Sequence, residues 1–385
     1  MNYKDLRLNY GISAFFVTSI GHMLVHSITL VYPAIMVILK DEFGVSLVEL
    51  GQLGTIQFAL FGLGALPAGW FVDHFGSRRV LLAYFFGLAL SSVVLMFSNT
   101  FTSYAFGLGL LGLISGLYHP AGLKLISQTK NMSKNMGYHG VFGSIGLALG
   151  PLIGGGFGAY LQWKYAYLFL GSLAILSGIF SLVTIPNDQP RKISKSKFNM
   201  GIKSVHIIAF VVTSLYGFAH HGLLNFLPIY LSESIDWALH KHAIGGVLTS
   251  FVLFLGIIGQ IVGGRLGSIY PRNKLLFFVV LLNIPLLIIM SFVHGSVLIG
   301  TVAILGAVNF TFQPVYNSLI ADITPIQKRG MIYGIAFGLG FGVGSFSGII
   351  GGYIGEYIRL QMIFPFLSIV LIPAVVLSLW IKKNN

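Results

Sequence analysis

Long apolar runs alternate with short polar turns along almost the whole chain. The runs are about 20 residues long, which is the length that an α-helix needs to cross a bilayer. There are twelve runs, and they predict twelve membrane-spanning helices. The predicted helices begin near Gly11, Leu47, Val80, Thr102, Asn135, Tyr165, Ser204, His242, Leu275, Ser296, Gly330 and Gln361.

The last six runs repeat the first six at a constant shift of 194 residues. At this shift His26 returns as His220. Further pairs in the same register are Gly69 and Gly263, Arg78 and Arg272, Gly112 and Gly306, Pro120 and Pro314, and Gly146 and Gly340. Because each half has an even number of spans, the pattern predicts two parallel six-helix bundles, residues 1–186 and 204–385, joined by a basic linker at 187–203.

The composition is that of an all-α membrane protein. Hydrophobic residues make up 55% of the chain and charged residues only 9%, against roughly 25% charged residues in soluble domains. Cysteine is absent, which excludes disulfides and thiol catalysis. Motifs of zinc hydrolases and of ATP-binding loops are absent as well, so we expect neither an enzyme nor a cofactor.

The net charge of +13 is distributed unevenly over the turns. Of the 23 Lys and Arg residues, 19 fall in the termini and in the turns on the same side as the termini. Basic residues of membrane proteins concentrate on the cytoplasmic side. The pattern therefore predicts a plasma (inner) membrane protein with both termini cytoplasmic, with the lipid bilayer and not nucleic acid as its surroundings, and we expect a monomer.

The turn after the second span has a distinctive spacing, with Gly69, Asp73, Gly76, Arg78 and Arg79 in the segment GWFVDHFGSRR. Glycine gives such a turn its backbone freedom, and the two arginines suit a cytoplasmic surface. The spacing resembles the loop between the second and third helices of the major facilitator superfamily. That resemblance implies the major facilitator fold and a gating role for the loop.

The fifth span carries a second motif, in which Gly146, Gly150 and Gly154 share one helix face and are accompanied by Pro151 and Gly155. Glycines on one face let a neighbouring helix approach closely, and proline permits a bend. The full spacing resembles the antiporter motif of drug/proton exporters in the superfamily. By this resemblance these five residues take part in gating, and the direction of transport is export.

A finer resemblance rests on the segments GHMLVHSITLVYPAI in the first span and GLYHPAGLKLISQ in the fourth. Both look like the fosmidomycin-resistance group of exporters. That group tends to carry an Asp in the first span at the position of His26, so this chain lacks a carboxylate that could have bound a proton or a cationic drug.

Carboxylates are predicted only near the ends of the spans, so histidines are the ionisable candidates inside the membrane. Such groups are costly there and are functional candidates by default, and an imidazole titrates at about pH 6.5. We predict proton coupling through His26, His220 and His119. By resemblance, the first, fourth, seventh and tenth spans line a central cavity. The other candidate substrate contacts on this path are His22, Tyr32, Gln57, Tyr118, Lys124, His221, Asn225, Gln313, Tyr316 and Asn317.

A cavity with histidines and a lysine but no carboxylate favours neutral or anionic molecules. The leading hypothesis is proton-coupled export of a small organic molecule by alternating access. A first alternative is proton-coupled transport of an organic anion, such as a carboxylate metabolite or siderophore, in either direction. A weaker alternative is transport of a transition metal through the pairs His22/His26 and His220/His221. No resident metal is expected.

Overall fold

The computed structural model describes residues 3–127, 129, 132–186, 202–235, 241–325 and 329–381. Helices dominate this part of the chain, and no β-strand occurs in it. The helices are α1 Tyr3–Thr29, α2 Val31–Ala34, α3 Met36–Phe43, α4 Leu47–Phe75, α5 Ser77–Met96, α6 Phe101–Ser115, α7 Tyr118–Ser127, α8 Met132–Tyr160, α9 Trp163–Thr184, α10 Ser204–Ser234, α11 Lys241–Ile269, α12 Arg272–Ile289, α13 Gly295–Phe310, α14 Phe312–Ile323, α15 Arg329–Tyr357 and α16 Ile363–Ser378.

Twelve segments of the described chain are long and apolar enough to cross a membrane. Spans 1 to 12 are Ile12–Ala34, Leu47–Phe75, Ser77–Met96, Phe101–Ser127, Gly137–Tyr160, Trp163–Thr184, Ser204–Ser234, Ala243–Ile269, Arg272–Ile289, Gly295–Ile323, Met331–Tyr357 and Leu360–Ser378. Each begins within three residues of its predicted start. We call spans 1–6 the first half and spans 7–12 the second half. Most of the predicted linker, 187–203, lies outside the described residues.

Spans 4 and 10 are each broken at the same place in the repeat. The helix of span 4 stops at Ser115 and restarts at Tyr118, and that of span 10 stops at Phe310 and restarts at Phe312. Pro120 and Pro314 follow these breaks. A proline ring clashes with the carbonyl four residues earlier, which falls at each break. The prolines thus reorient the last part of both spans.

The two halves pack on each other through spans 2 and 11. A Cβ added to Gly51 would collide with the carbonyl of Gly348, so the two backbones meet directly. Next to this contact the Thr55 hydroxyl donates to the Ser345 carbonyl at 2.9 Å and accepts from the Ile349 amide at 3.0 Å. Small residues allow such close approach of helices in membranes. Spans 5 and 8 meet in the same way.

The closest contacts between the halves lie at the end of the molecule away from the termini. There the Leu47 amide, at the start of span 2, donates to the Glu356 carboxylate at 2.8 Å. This bond satisfies one of the free amides at a helix N-terminus. At the other end of span 2, a Cβ on Gly69 would have no atom within 4 Å. Along span 2, the contact with the second half is therefore closest at the end where that span begins.

Candidate functional site

Three histidine rings of the first half meet on the side of spans 1 and 4. His22 and His26 lie one turn apart on span 1, where residues four apart are neighbours. Their Nε2 atoms are 3.2 Å apart. His119, just beyond the break in span 4, has its ring centre 5.3 Å from that of His22 and 5.5 Å from that of His26. One nitrogen from each ring falls within 4.8 Å of the others.

The orientation of His22 is fixed by span 5. Its Nδ1 lies 2.8 Å from the carbonyl oxygen of His139. Because a carbonyl only accepts, Nδ1–H donates, and in the neutral ring Nε2 carries the lone pair. The His139 ring stacks on His22 with centres 4.2 Å apart. Gly143 leaves room for this arrangement, since a Cβ there would collide with the His22 ring.

Phenylalanines from both halves cover His119. Its ring lies 6.0 Å from Phe61 and stacks on Phe337 of span 11 at 5.7 Å between centres. Phe341, one turn from Phe337, stacks on Phe61 at 4.3 Å. The Nε2 atom of His119 is buried and has no hydrogen-bond partner among the described residues. The site thus has a polar centre under an apolar cover that joins the two halves.

The repeat partner of His26 has different surroundings. His220 Nδ1 lies 2.6 Å from the amide oxygen of Asn309 on span 10, so Nδ1–H donates there as well. The Asn309 amide donates in turn to Asn283 Oδ1 on span 9 at 3.1 Å. The Tyr216 hydroxyl donates to the Asn309 carbonyl at 2.6 Å. His220 is therefore held by an amide network instead of by other imidazoles.

His221 faces away from that network. Its ring lies 4.7 Å from both Phe58 and Phe341, between the two halves. The predicted pair His220/His221 is thus divided between two environments.

Two other predicted contacts, Gln57 and Asn225, lie against backbone groups. The amide of Gln57 donates to the Thr29 carbonyl at 2.9 Å. Asn225 is buried against the backbone of Gly54.

The predicted tyrosines tie spans together. The hydroxyl of Tyr32 donates to the Leu50 carbonyl and that of Tyr118 to the Thr18 carbonyl. Tyr316 donates to the Ala209 carbonyl at 3.0 Å. In this conformation these three hydroxyls are used in helix packing. Further along span 10, Gln313 is exposed and Asn317 is half-buried, and the Asn317 carbonyl accepts from Tyr333.

Lys124 lies at the end of span 4, next to the loop that carries the first motif. Its Nζ forms an ion pair with Asp73 at 2.9 Å and donates to the Val72 carbonyl at 3.1 Å. Gly76 has φ of +86°, a conformation that favours glycine. Arg78 donates to the Leu182 carbonyl at 2.7 Å. The structure thus brings Lys124 together with Asp73, within the first half, and away from the histidines.

Arg79 is exposed in the first turn of α5. A second ion pair, Arg272 with Asp322, occupies the corresponding end of the second half. In the repeat, Arg272 matches Arg78, whereas Asp322 has no acidic equivalent. The two halves have therefore built different ion pairs at this end.

The glycines of the fifth span press on span 1. A Cβ on Gly146 would lie 2.8 Å from Met23 Cα, and one on Gly150 would lie 2.6 Å from the Ser27 carbonyl oxygen. One on Gly154 would lie 3.0 Å from the Val31 carbonyl oxygen. Pro151 and Gly155 instead contact Gly246 of span 8, in the other half. The motif thus packs span 5 against the span that carries His22 and His26.

Sequence reasoning missed His139 and the phenylalanine cover. The position of His139 near the start of span 5 gave no reason to place it beside His22, because this contact depends on how spans 1 and 5 pack. Phenylalanine is common in membrane spans, so Phe61, Phe337 and Phe341 could not be told from lipid-facing residues.

Comparison with known proteins identifies the family. The family model of the Major Facilitator Superfamily matches residues 13–348 and 209–385. Multidrug resistance protein 1 of Bacillus subtilis is 24% identical and covers 84% of this chain and 83% of its own length. Multidrug resistance protein MdtG of Proteus mirabilis is 24% identical over 71% of each chain.

The fold is also that of a solved transporter. A bacterial homolog to the human lysosomal transporter Spinster, in an inward-facing and occupied conformation, superimposes with a TM-score of 0.78 and 14% sequence identity. The superposition covers 100% of this chain and 98% of that one. The predicted fold of twelve spans is confirmed, and the chain belongs to the Major Facilitator Superfamily of integral membrane transporters, which are not enzymes.

Proposed function

We propose that this transporter exports a small neutral or anionic organic molecule from the cytoplasm in exchange for protons, by alternating access. The observation that carries the proposal is His220, an imidazole on span 7 that is hydrogen-bonded to Asn309 and not to a carboxylate. Among the described residues, the eight Asp and Glu residues lie near the ends of the spans or in the turns. Histidine therefore supplies the titratable groups at mid-membrane depth.

The interface between the halves indicates which side of this conformation is less tightly closed. If basic residues mark the cytoplasmic side, the close contacts at Gly51, Gly348 and Glu356 lie at the external end. This conformation then has its cytoplasmic side less tightly joined, a state through which exporters and importers both pass during alternating access. The names of the two bacterial relatives, both multidrug resistance proteins, agree with export. A plasma membrane location with cytoplasmic termini belongs to the same proposal.

The proton in this proposal is carried on His220 Nε2. Nδ1–H donates to Asn309 in the neutral and in the charged ring alike, so the network holds the ring while Nε2 gains or loses its proton. The titratable rings nearest to it are His221 and Tyr216, with centres 5.6 Å and 6.3 Å away. Proton roles for His26 and His119, and substrate contacts for the other cavity residues, stay predictions.

The test is flux driven by an imposed pH gradient across proteoliposomes. The probes are the neutral and anionic drugs that most raise the melting temperature of the purified protein, since a ligand of the folded state raises its apparent stability. We expect wild-type flux to follow the gradient as exchange and His220→Gln to reduce that flux about tenfold or more. His294→Gln, an exposed histidine before span 10, should leave the flux unchanged.

Two results would contradict the proposal. Full gradient-driven flux in His220→Gln would remove His220 from proton coupling. Protons entering together with the probe would favour the organic-anion importer, with the same fold and the opposite direction.

A further inference from the structure

We propose that His22, His26 and His119 bind one divalent transition metal ion of the zinc class, and that this site exists in the first half only. The proposal stands on the position of three ring nitrogens and on the chemistry around them. It depends neither on the direction of transport nor on proton coupling.

The spacing of the nitrogens fits a tetrahedral ion. Zinc–imidazole bonds of about 2.0–2.1 Å at tetrahedral angles place two ligand nitrogens about 3.3 Å apart. The Nε2 atoms of His22 and His26 are 3.2 Å apart. The His119 nitrogen lies within 4.8 Å of both, so a ring movement of at most about 1.5 Å completes the triangle. His119 Nε2 has no hydrogen bond to a described residue that would resist this movement.

The hydrogen bond behind His22 is of the kind that accompanies metal ligation. Metal-binding histidines usually donate their second ring N–H to a carbonyl or carboxylate, which fixes the ring and its tautomer. His22 does this through Nδ1–H to the His139 carbonyl at 2.8 Å. The Nε2 lone pair is thereby aimed at His26. Without a metal, His26 Nε2–H donates to that lone pair, and with a metal the ring carries its proton on Nδ1 instead.

The donor set selects the class of ion. Three imidazoles suit zinc, copper or nickel, whereas magnesium and calcium require oxygen ligands. Three neutral ligands leave the ion with its two positive charges in a site covered by Phe61 and Phe337. The fourth ligand is therefore an anion, either hydroxide or a carboxylate from a small molecule.

The second half provides an internal comparison. The repeat partners of His22, His26 and His119 are Tyr216, His220 and Gln313. Only His220 among them is a good zinc ligand, so these positions offer one such ligand in the second half and three in the first. His119→Gln therefore introduces the side chain that the second half carries naturally, and it is a mild substitution for testing the site.

The experiment is a zinc titration of the full-length protein, purified in detergent through a tag without histidine and stripped with EDTA. We expect calorimetry to show one zinc ion per wild-type chain. His119→Gln and His26→Gln should each weaken zinc binding about tenfold or more. His221→Gln, in the second half, should bind zinc as the wild type does. Cobalt serves as a second probe, because tetrahedral coordination by three imidazoles gives it intense visible absorption that His119→Gln should lose.

Each outcome decides the proposal. If wild-type protein with a normal gel-filtration profile binds no zinc at one-to-one ratio, the histidines are only hydrogen-bonded to one another and the site is refuted. Equal affinity in wild type and His119→Gln refutes it too. The titration uses neither substrate nor a pH gradient, so its result is independent of the flux measurement. If His220→Gln loses gradient-driven flux and the wild type binds no zinc, the proposed function stands and the metal site is refuted.

Discussion

The two halves share a scaffold but differ in the chemistry placed on it. In the first half His26 lies beside His22 and His119, whereas in the second half its partner His220 is bound to Asn309. The prolines that break spans 4 and 10 keep the same register in both. The prolines at these two breaks have thus stayed alike, while the groups around His26 and His220 have diverged.

The packing of the halves differs as well. Gly146 of span 5 meets the backbone of Met23 directly, whereas a Cβ on its repeat partner, Gly340, would find Thr213 Oγ1 at 3.6 Å as its nearest atom. The first half is therefore more tightly packed at this level of the repeat. Two pairs of substitutions at repeat partners, and one pair at the two ion pairs, test how far this difference extends.

The largest effect is expected for alanine at Gly146. Its Cβ would lie 2.8 Å from Met23 Cα, so spans 1 and 5 must separate. Overpacking of this kind costs about 1–3 kcal/mol, and a backbone neighbour places it at the upper end. Gly340→Ala has only ordinary contacts and should cost less than about 0.5 kcal/mol. Thermal unfolding of both variants in detergent is the measurement, and equal losses would show that the halves are packed alike.

A smaller effect is expected for Asn309→Ala. The substitution removes the acceptor of His220 Nδ1–H and the donor to Asn283. Leaving buried polar groups unsatisfied costs about 1–3 kcal/mol. The repeat partner is Ser115, whose buried hydroxyl has no hydrogen bond within the described structure, so Ser115→Ala should be close to neutral. A Ser115→Ala variant as unstable as Asn309→Ala would contradict the contrast between the polar networks.

The smallest effect concerns the ion pairs at the end that carries the termini. Asp73 and Asp322 are partly exposed, and pairs of this kind contribute about 0.2–1 kcal/mol. Asp73→Asn and Asp322→Asn should each lower the stability by less than about 1 kcal/mol. Unfolding at low salt and at about 1 M salt checks this, because screening should abolish both differences. A loss of stability that persists at high salt would indicate that the ion pair contributes more than the attraction between its charges.

The fold could be predicted from the sequence because bilayer thickness fixes the length of a span and the repeat fixes the pairing of the halves. The proximity of His22 and His26 also followed from helix geometry alone. The contact between His22 and His139 did not, since it depends on how close the glycines let span 5 approach. Lys124 was expected in the cavity with His119, but five residues further along span 4 it reaches Asp73.

The meeting of Gly51 with Gly348 has a consequence for turnover. Where bare main chain touches bare main chain, no rotamers are frozen when the gap shuts and none are released when it opens. Spans 2 and 11 can therefore separate and reassociate at this contact with little change in side-chain conformational entropy. A bulky side chain at either position would act as a wedge and keep spans 2 and 11 apart at this end of the bundle.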